Sequence, residues 1–192
     1  MAILLDYLHK MREVRYLNGC ELPAGYNYAG AEDYVLDRGQ SYAAAALTAE
    51  ELQIVQRAVA CCSAAPFRRG ECFYNAQLLA LTATAGMIEY HEGYAFCDSI
   101  IPVLHGWCVI AGKVIDMTWR TTKRTPIYGE FPPTWEYYGI HFESSVLRDR
   151  ILETGVASSL LDDFPARWPL FKQPRLRPVD RVRTFAQDVP ET

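Results

Sequence analysis

The chain has no apolar run approaching the roughly 18–20 residues that a membrane-spanning helix needs, so no helical membrane span is expected. Its opening, Met1-Ala2-Ile3-Leu4-Leu5-Asp6, has no basic segment and meets an acid at once, so no secretory signal is expected either. No C-x-x-C occurs among the six cysteines (Cys20, Cys61, Cys62, Cys72, Cys97 and Cys108). The adjacent Cys61-Cys62 pair suits chelation poorly, so neither a metal nor another cofactor is expected. Six cysteines in 192 residues are also too few for a disulfide scaffold. Without a signal segment they read as mostly reduced thiols in a cytoplasmic setting. Gly112-Lys113 lacks the glycine-rich lead and the following Ser or Thr of a phosphate loop. The net charge of −4 gives no overall pull toward nucleic acid or an anionic membrane. There is no internal repeat and no low-complexity segment.

What remains is an ordinary globular composition. Half the residues are hydrophobic and 22% are charged, and the length suits one domain with a substantial core. Residues 1–165 are read as that domain and 166–192 as a basic, proline-rich arm, expected to be extended because of its prolines and scattered charges. After a short opening helix, residues 1–47 read as an irregular segment packed by its tyrosines, with Gly25, Gly30 and Gly39 between them. Thr48-Ala49-Glu50-Glu51 fits a capping box, and Leu52, Val55, Val59 and Cys62 follow at helical spacing. A second helix is predicted over 71–84, apolar on most sides and therefore buried, with Gly86 as its stop. Strands are predicted over 87–96, 103–110 and 113–119, with a turn at Asp98-Ser99 and a hairpin at Ala111-Gly112. Residues 120–138 form a Thr-, Pro- and Tyr-rich excursion, and Tyr128 to Tyr138 could serve as a lid or as a packed loop. Strand or loop follows at 138–142, then a third helix over 143–153 stopped by Gly155. The fold class expected is α+β, with a cysteine-bearing helix packed on an antiparallel sheet.

Three residues carry the chemistry. Cys72 opens the second helix, where unpaired N–H groups and the positive end of the helix dipole favour a thiolate. An even-length hairpin loop puts odd positions of its first strand and even positions of its second on one face. His105 and Asp116 therefore point the same way, as cross-strand neighbours or one diagonal step apart. Asp116 lies between Ile115 and Met117 in a strand that reads as buried, so its carboxylate needs a partner, and His105 is the nearest. Nucleophile, base and orienting carboxylate are what thiol catalysis uses.

Other positions support this trio. Asn75, three residues after Cys72, could polarise a substrate carbonyl or fix a neighbouring loop. Glu92 could line the cleft or face solvent, and Trp107 could shield the His–Asp pair or simply fill the core. An oxyanion would take the Cys72 backbone N–H and a donor such as Gln40 or Tyr42. His9, His91 and His141 have no comparable company.

The run Gly70-Glu71-Cys72-Phe73-Tyr74-Asn75-Ala76-Gln77-Leu78-Leu79-Ala80-Leu81 resembles the nucleophile helix of the transglutaminase-like (papain-like) superfamily. Glu92-Gly93-Tyr94 resembles its following strand. His105-Gly106-Trp107 and Gly112-Lys113-Val114-Ile115-Asp116-Met117-Thr118-Trp119 resemble its histidine and aspartate strands. Small bacterial and phage proteins that carry this core are similar. The match covers about residues 66–119. Phe73 stands where the family often has tryptophan or glutamine, and Met117 where it often has proline. The resemblance implies Cys72 as nucleophile, His105 as base and acid, and Asp116 as orienter.

Two functions follow as expectations. One is acyl transfer on a peptide or protein amide, of protease, amidase, deamidase or transglutaminase type, with hydrolysis favoured because no second-amine site is visible. The alternative is a non-catalytic protein-binding module on the same fold, such as a phage-type inhibitor of a host factor. The arm contributes a separate signal. Residues 167–183 hold six basic residues and one acid, a net of +5 that leaves −9 on the rest. Such an arm could bind nucleic acid, or lie over its own acidic domain, which is the commoner arrangement.

Overall fold

The protein is described by a computed structural model covering residues 2–17, 21–62, 65, 67–84, 86–97, 100–119 and 134–176. The predicted turn at Asp98-Ser99, most of the 120–138 excursion and the arm beyond Leu176 lie outside the described residues.

Among the described residues five α-helices and five strands follow in chain order: α1 Ala2–Leu17, α2 Ala31–Arg38, β1 Gln40–Tyr42, α3 Ala49–Cys61 and α4 Cys72–Thr82, then β2 Glu89–Cys97, β3 Ile100–Ile110, β4 Lys113–Ile115, β5 Glu136–Phe142 and α5 Ser144–Thr154. The class is mixed α+β with one antiparallel sheet, ordered β1-β5-β2-β3-β4. The sheet curls until its two edges meet: Ala43, just past β1, bridges Lys113 of β4, and Val114 N donates to Ala43 O at 3.0 Å.

Local sequence explains the elements that place the site. Thr48 caps α3 by a full capping box, its Oγ1 accepting from Glu51 N while Glu51 Oε2 accepts from Thr48 N. The same Glu51 carboxylate holds Lys113 Nζ at 2.8 Å, which ties α3 to the β3–β4 turn. That turn uses Ala111 (φ 47°) and Gly112 (φ 76°), the paired positive φ values of a two-residue hairpin whose twist matches its strands.

The sheet separates two packed regions. On one side Tyr90, Tyr94, Cys108, Ile110, Ile115 and Ile140 join Ala76, Leu79 and Ala80 of α4. Inside the curl Tyr42, Ala95, Trp107, Val109, Val114 and Tyr137 form a second cluster. The tightest part of the curl is a glycine pair. Gly93 of β2 faces Gly139 of β5, and a Cβ on Gly93 would stand 2.4 Å from the Gly139 Cα. Trp107 fills the space above, its ring 2.6 Å from where a Gly139 Cβ would sit.

Three expectations need correcting. Residues 1–47 are not irregular after a short helix: α1 runs sixteen residues, and α2 and β1 follow. The strand predicted over 113–119 ends at Ile115, because Asp116 turns its own carboxylate onto the N–H groups of Thr118 and Trp119. The start of the arm is docked rather than extended. It makes a 3₁₀ turn at Pro169–Lys172 that buries Phe171, and Arg175 then pairs with Asp33 of α2. Among the described residues no helix is long and apolar enough to cross a membrane.

Candidate active site

Cys72 is the first residue of α4 and is about nine-tenths buried. Glu71, the residue before it, makes no side-chain cap bond, and N–H groups of a first helical turn have no partner within the helix. The Cys72 amide is one of these groups. The helix start is pressed close to β3, since a Cβ on Gly106 would lie 3.0 Å from the Phe73 ring and 3.2 Å from its Cα. A larger residue at 106 would push α4 away from His105.

The hairpin supplies the other two members. Cys108 pairs with Ile115, and extending that register by one residue sets Asp116 opposite Trp107 and one diagonal step from His105. His105 Nε2 and Asp116 Oδ2 lie 2.7 Å apart, both side chains almost wholly buried. Burial alone would hold His105 neutral. The Asp116 charge and hydrogen bond outweigh it, with Cys72 acting in the same direction, and push the imidazole up to about 10. Burial would likewise raise Asp116, but the His105 charge and bond and the Trp119 and Thr118 N–H groups hold it below its usual value. With Nε2 held by Asp116, Nδ1 is the ring nitrogen left to exchange a proton with the thiol. The result is a buried Asp116–His105 pair whose imidazole is influenced by Cys72, the residue at a helix start.

Two aromatic residues complete the surroundings. Trp119 stacks on the His105 ring at 4.5 Å and 24°, an arrangement that stabilises an imidazolium through the indole face. Trp107 lies parallel to His105 at 6.5 Å. The Tyr137 hydroxyl donates to Asp116 Oδ2 at 3.0 Å, and burial beside that carboxylate raises the Tyr137 hydroxyl far above its usual range.

The supporting residues fall in different places. Asn75 is fully engaged: its Oδ1 accepts from Arg68 N, and its Nδ2 donates to Arg68 O and Thr118 Oγ1. It therefore fastens the approach to α4 onto the residues after Asp116. Glu92 faces neither cleft nor solvent. It is completely buried and accepts from Ser159 Oγ, Leu160 N, Leu161 N and Tyr90 Oη. Tyr42 packs edge-on against His91 at 4.5 Å and Trp107 at 5.8 Å. Gln40 lines a groove with Arg38, His141 and Gln173.

Trp119, Tyr137 and Thr118 were not singled out from the sequence. Trp119 had a signal, an aromatic three residues after the aspartate. Tyr137 had none, because only the pairing of β5 with β2 brings it near. The five described cysteines are free thiols, and no group of three or more His, Cys, Asp or Glu among the described residues is arranged to hold a metal ion. In comparisons with known proteins, no family model, curated protein or solved structure matches the chain.

Proposed function

We propose that the chain is a cysteine-dependent enzyme that hydrolyses an amide, using Cys72, His105 and Asp116, on a transglutaminase-like core. The observation that carries this reading is the buried His105–Asp116 pair, with Cys72 acting on the same imidazole from the start of α4. A buried His–Asp pair alone would serve stability, whereas one whose ring also responds to a thiol at a helix start is equipped for nucleophilic attack.

In this reading the Cys72 sulfur attacks the carbonyl carbon, and the oxyanion is met by the Cys72 N–H. The C–N bond breaks as His105 gives its proton to the leaving amine. Water then adds to the thioester, His105 takes its proton, and the acid leaves with the thiol restored. Asp116 keeps the ring oriented and stabilises its charged form throughout. A peptide or protein amide is the substrate class.

The test is the alkylation rate of each cysteine by iodoacetamide against pH, read by peptide mass mapping, in wild type and His105→Ala. The expected result is that Cys72 reacts fastest near neutral pH and slows at least tenfold in the variant. A Cys72 that is inert in the folded protein, or indifferent to His105, leaves the fold as a non-catalytic binding module. In that case Cys72→Ser would retain any binding.

A further inference from the structure

A second site lies apart from the thiol. A cavity of about 470 Å³ opens between α1, the loop before α2, the β2–β3 sheet and the docked arm. None of Cys72, His105 and Asp116 lines it. The volume is in the range of cavities that take small molecules.

Five aromatic residues stand in its walls: Tyr26, Tyr28, Tyr94, Trp168 and Phe171. The Tyr26 and Tyr28 hydroxyls are engaged, by Arg167 O at 2.7 Å and Asp37 at 2.6 Å, and their rings already carry Lys172 at 5.1 Å and Arg175 at 4.6 Å, so these residues serve as wall. Two charged side chains line the cavity, Arg15 and Asp162. Arg15 is matched by Glu32, which it holds through both Nε and Nη2. Asp162 is exposed, and its Oδ1 accepts from the Trp168 indole N–H at 2.8 Å, a neutral donor that leaves its charge uncompensated. Among the described residues no cation forms an ion pair with it. The cavity thus combines ring faces with one unmatched negative charge.

The backbone beside it is unusual. Arg167 and Trp168 are consecutive non-glycine residues with φ of 57° and 46°, a conformation L side chains rarely adopt. This turn places the Trp168 ring in the cavity wall and its N–H on Asp162. Strain of this kind persists where the surroundings hold it, and it gathers at ligand sites.

We propose that this cavity binds a small organic cation, an alkylammonium carrying an apolar body. Asp162 faces the charge, and Trp168, Phe171 and Tyr94 take the alkyl groups and body. Ring faces attract ammonium groups through their quadrupoles, and a neighbouring carboxylate adds charge complementarity. The inference does not depend on Cys72 being catalytic.

The test uses choline and its uncharged isostere 3,3-dimethylbutan-1-ol, titrated calorimetrically into the full chain. Choline is expected to bind saturably at one site, at least tenfold more tightly than the isostere. Asp162→Asn keeps an acceptor for the Trp168 N–H while removing the charge, and is expected to weaken choline at least tenfold and leave the isostere unchanged. Trp168→Leu, checked for folding by circular dichroism, is expected to weaken choline at least fivefold. The proposal is overturned if choline fails to saturate below about 50 mM, if the isostere binds as tightly, or if a folded Asp162→Asn binds choline like wild type.

Discussion

Tyr137 and His105 share one oxygen. The Tyr137 hydroxyl donates to Asp116 Oδ2 at 3.0 Å, and His105 Nε2 meets the same atom at 2.7 Å. The other carboxylate oxygen accepts from Thr118 N and Trp119 N. Asp116 is therefore fixed from two strands and one turn, and the imidazole inherits that orientation.

Tyr137→Phe removes the hydroxyl that donates to a buried carboxylate. The expected loss of stability is about 1.5–3 kcal/mol, measured by urea denaturation. Because His105 keeps its main partner, the alkylation rate of Cys72 should fall only a few-fold, against tenfold or more for Asp116→Ala. Equal losses in both variants would mean that Tyr137 does more than steady Asp116.

Stability should depend on pH in a defined direction. His105 is pushed from 6.5 to about 10 in the fold, so its contribution is complete below about pH 6.5 and is lost as pH rises through 10. Asp116 is held below its ordinary 3.8, so its contribution is present above that value and is lost as pH falls. His91 shifts the other way. Burial, only partly offset by Glu89, lowers it from 6.5, so it favours the fold above pH 6.5 and counts against it as pH falls. Unfolding free energies from pH 4 to 10 in wild type and His105→Gln isolate the first effect. The wild type should lose more stability than the variant between pH 7 and 10. Parallel curves would mean that His105 is neutral in the fold.

The curl of the sheet rests on two residues without side chains. A Cβ on Gly93 would stand 2.4 Å from both the Gly139 Cα and Tyr138 O, all rigid backbone. Gly93→Ala is expected to cost about 3 kcal/mol or more, at the upper end for overpacking. Gly86→Ala is a contrasting control, since its Cβ would meet nothing within 4 Å and only its positive φ is strained. Thermal melts of the two variants should differ clearly, with Gly93→Ala the lower.

The parts of this structure legible in the sequence are those set by neighbours in the chain. The Thr48 capping box, the Ala111-Gly112 turn and the shared face of His105 and Asp116 each depend on spacings of a few residues. What was not legible depends on distant pairing. The Gly93–Gly139 contact and the Tyr137 bond to Asp116 exist only because β5 inserts between β1 and β2. α2 was missed because it is eight residues long and carries four charged side chains, Glu32, Asp33, Asp37 and Arg38, which hide its helical period. Two of those acids, Asp33 and Asp37, receive the arm, through Arg175 and the Leu176 N–H. Glu92 was read as cleft or solvent because an acid between a histidine and a glycine gives no hint of a buried cradle.

Glu92 offers the last prediction. It is buried without a cation, and burial raises its carboxyl above the usual 4.5 even though four groups donate to it. Those donors join Tyr90, beneath α4, to the 159–161 segment after α5, and Gln77 of α4 closes the loop by donating to Tyr90 Oη and Ser158 O. Glu92→Gln keeps the size but replaces one acceptor oxygen with an NH₂ that faces donors. It should cost about 2–4 kcal/mol, since a buried donor left without an acceptor loses its full hydration. The loss should be local first: Leu160 and Leu161 amides should exchange with deuterium faster than the β2–β3 ladder. Ser159→Ala, which removes one donor to the carboxylate and the acceptor of the Asp162 N–H, should cost about 1.5–3 kcal/mol. If Leu160 and Leu161 stay as protected in Glu92→Gln as in wild type, then apolar packing of Leu160 and Leu161, and not the buried carboxylate, fastens this segment to the sheet.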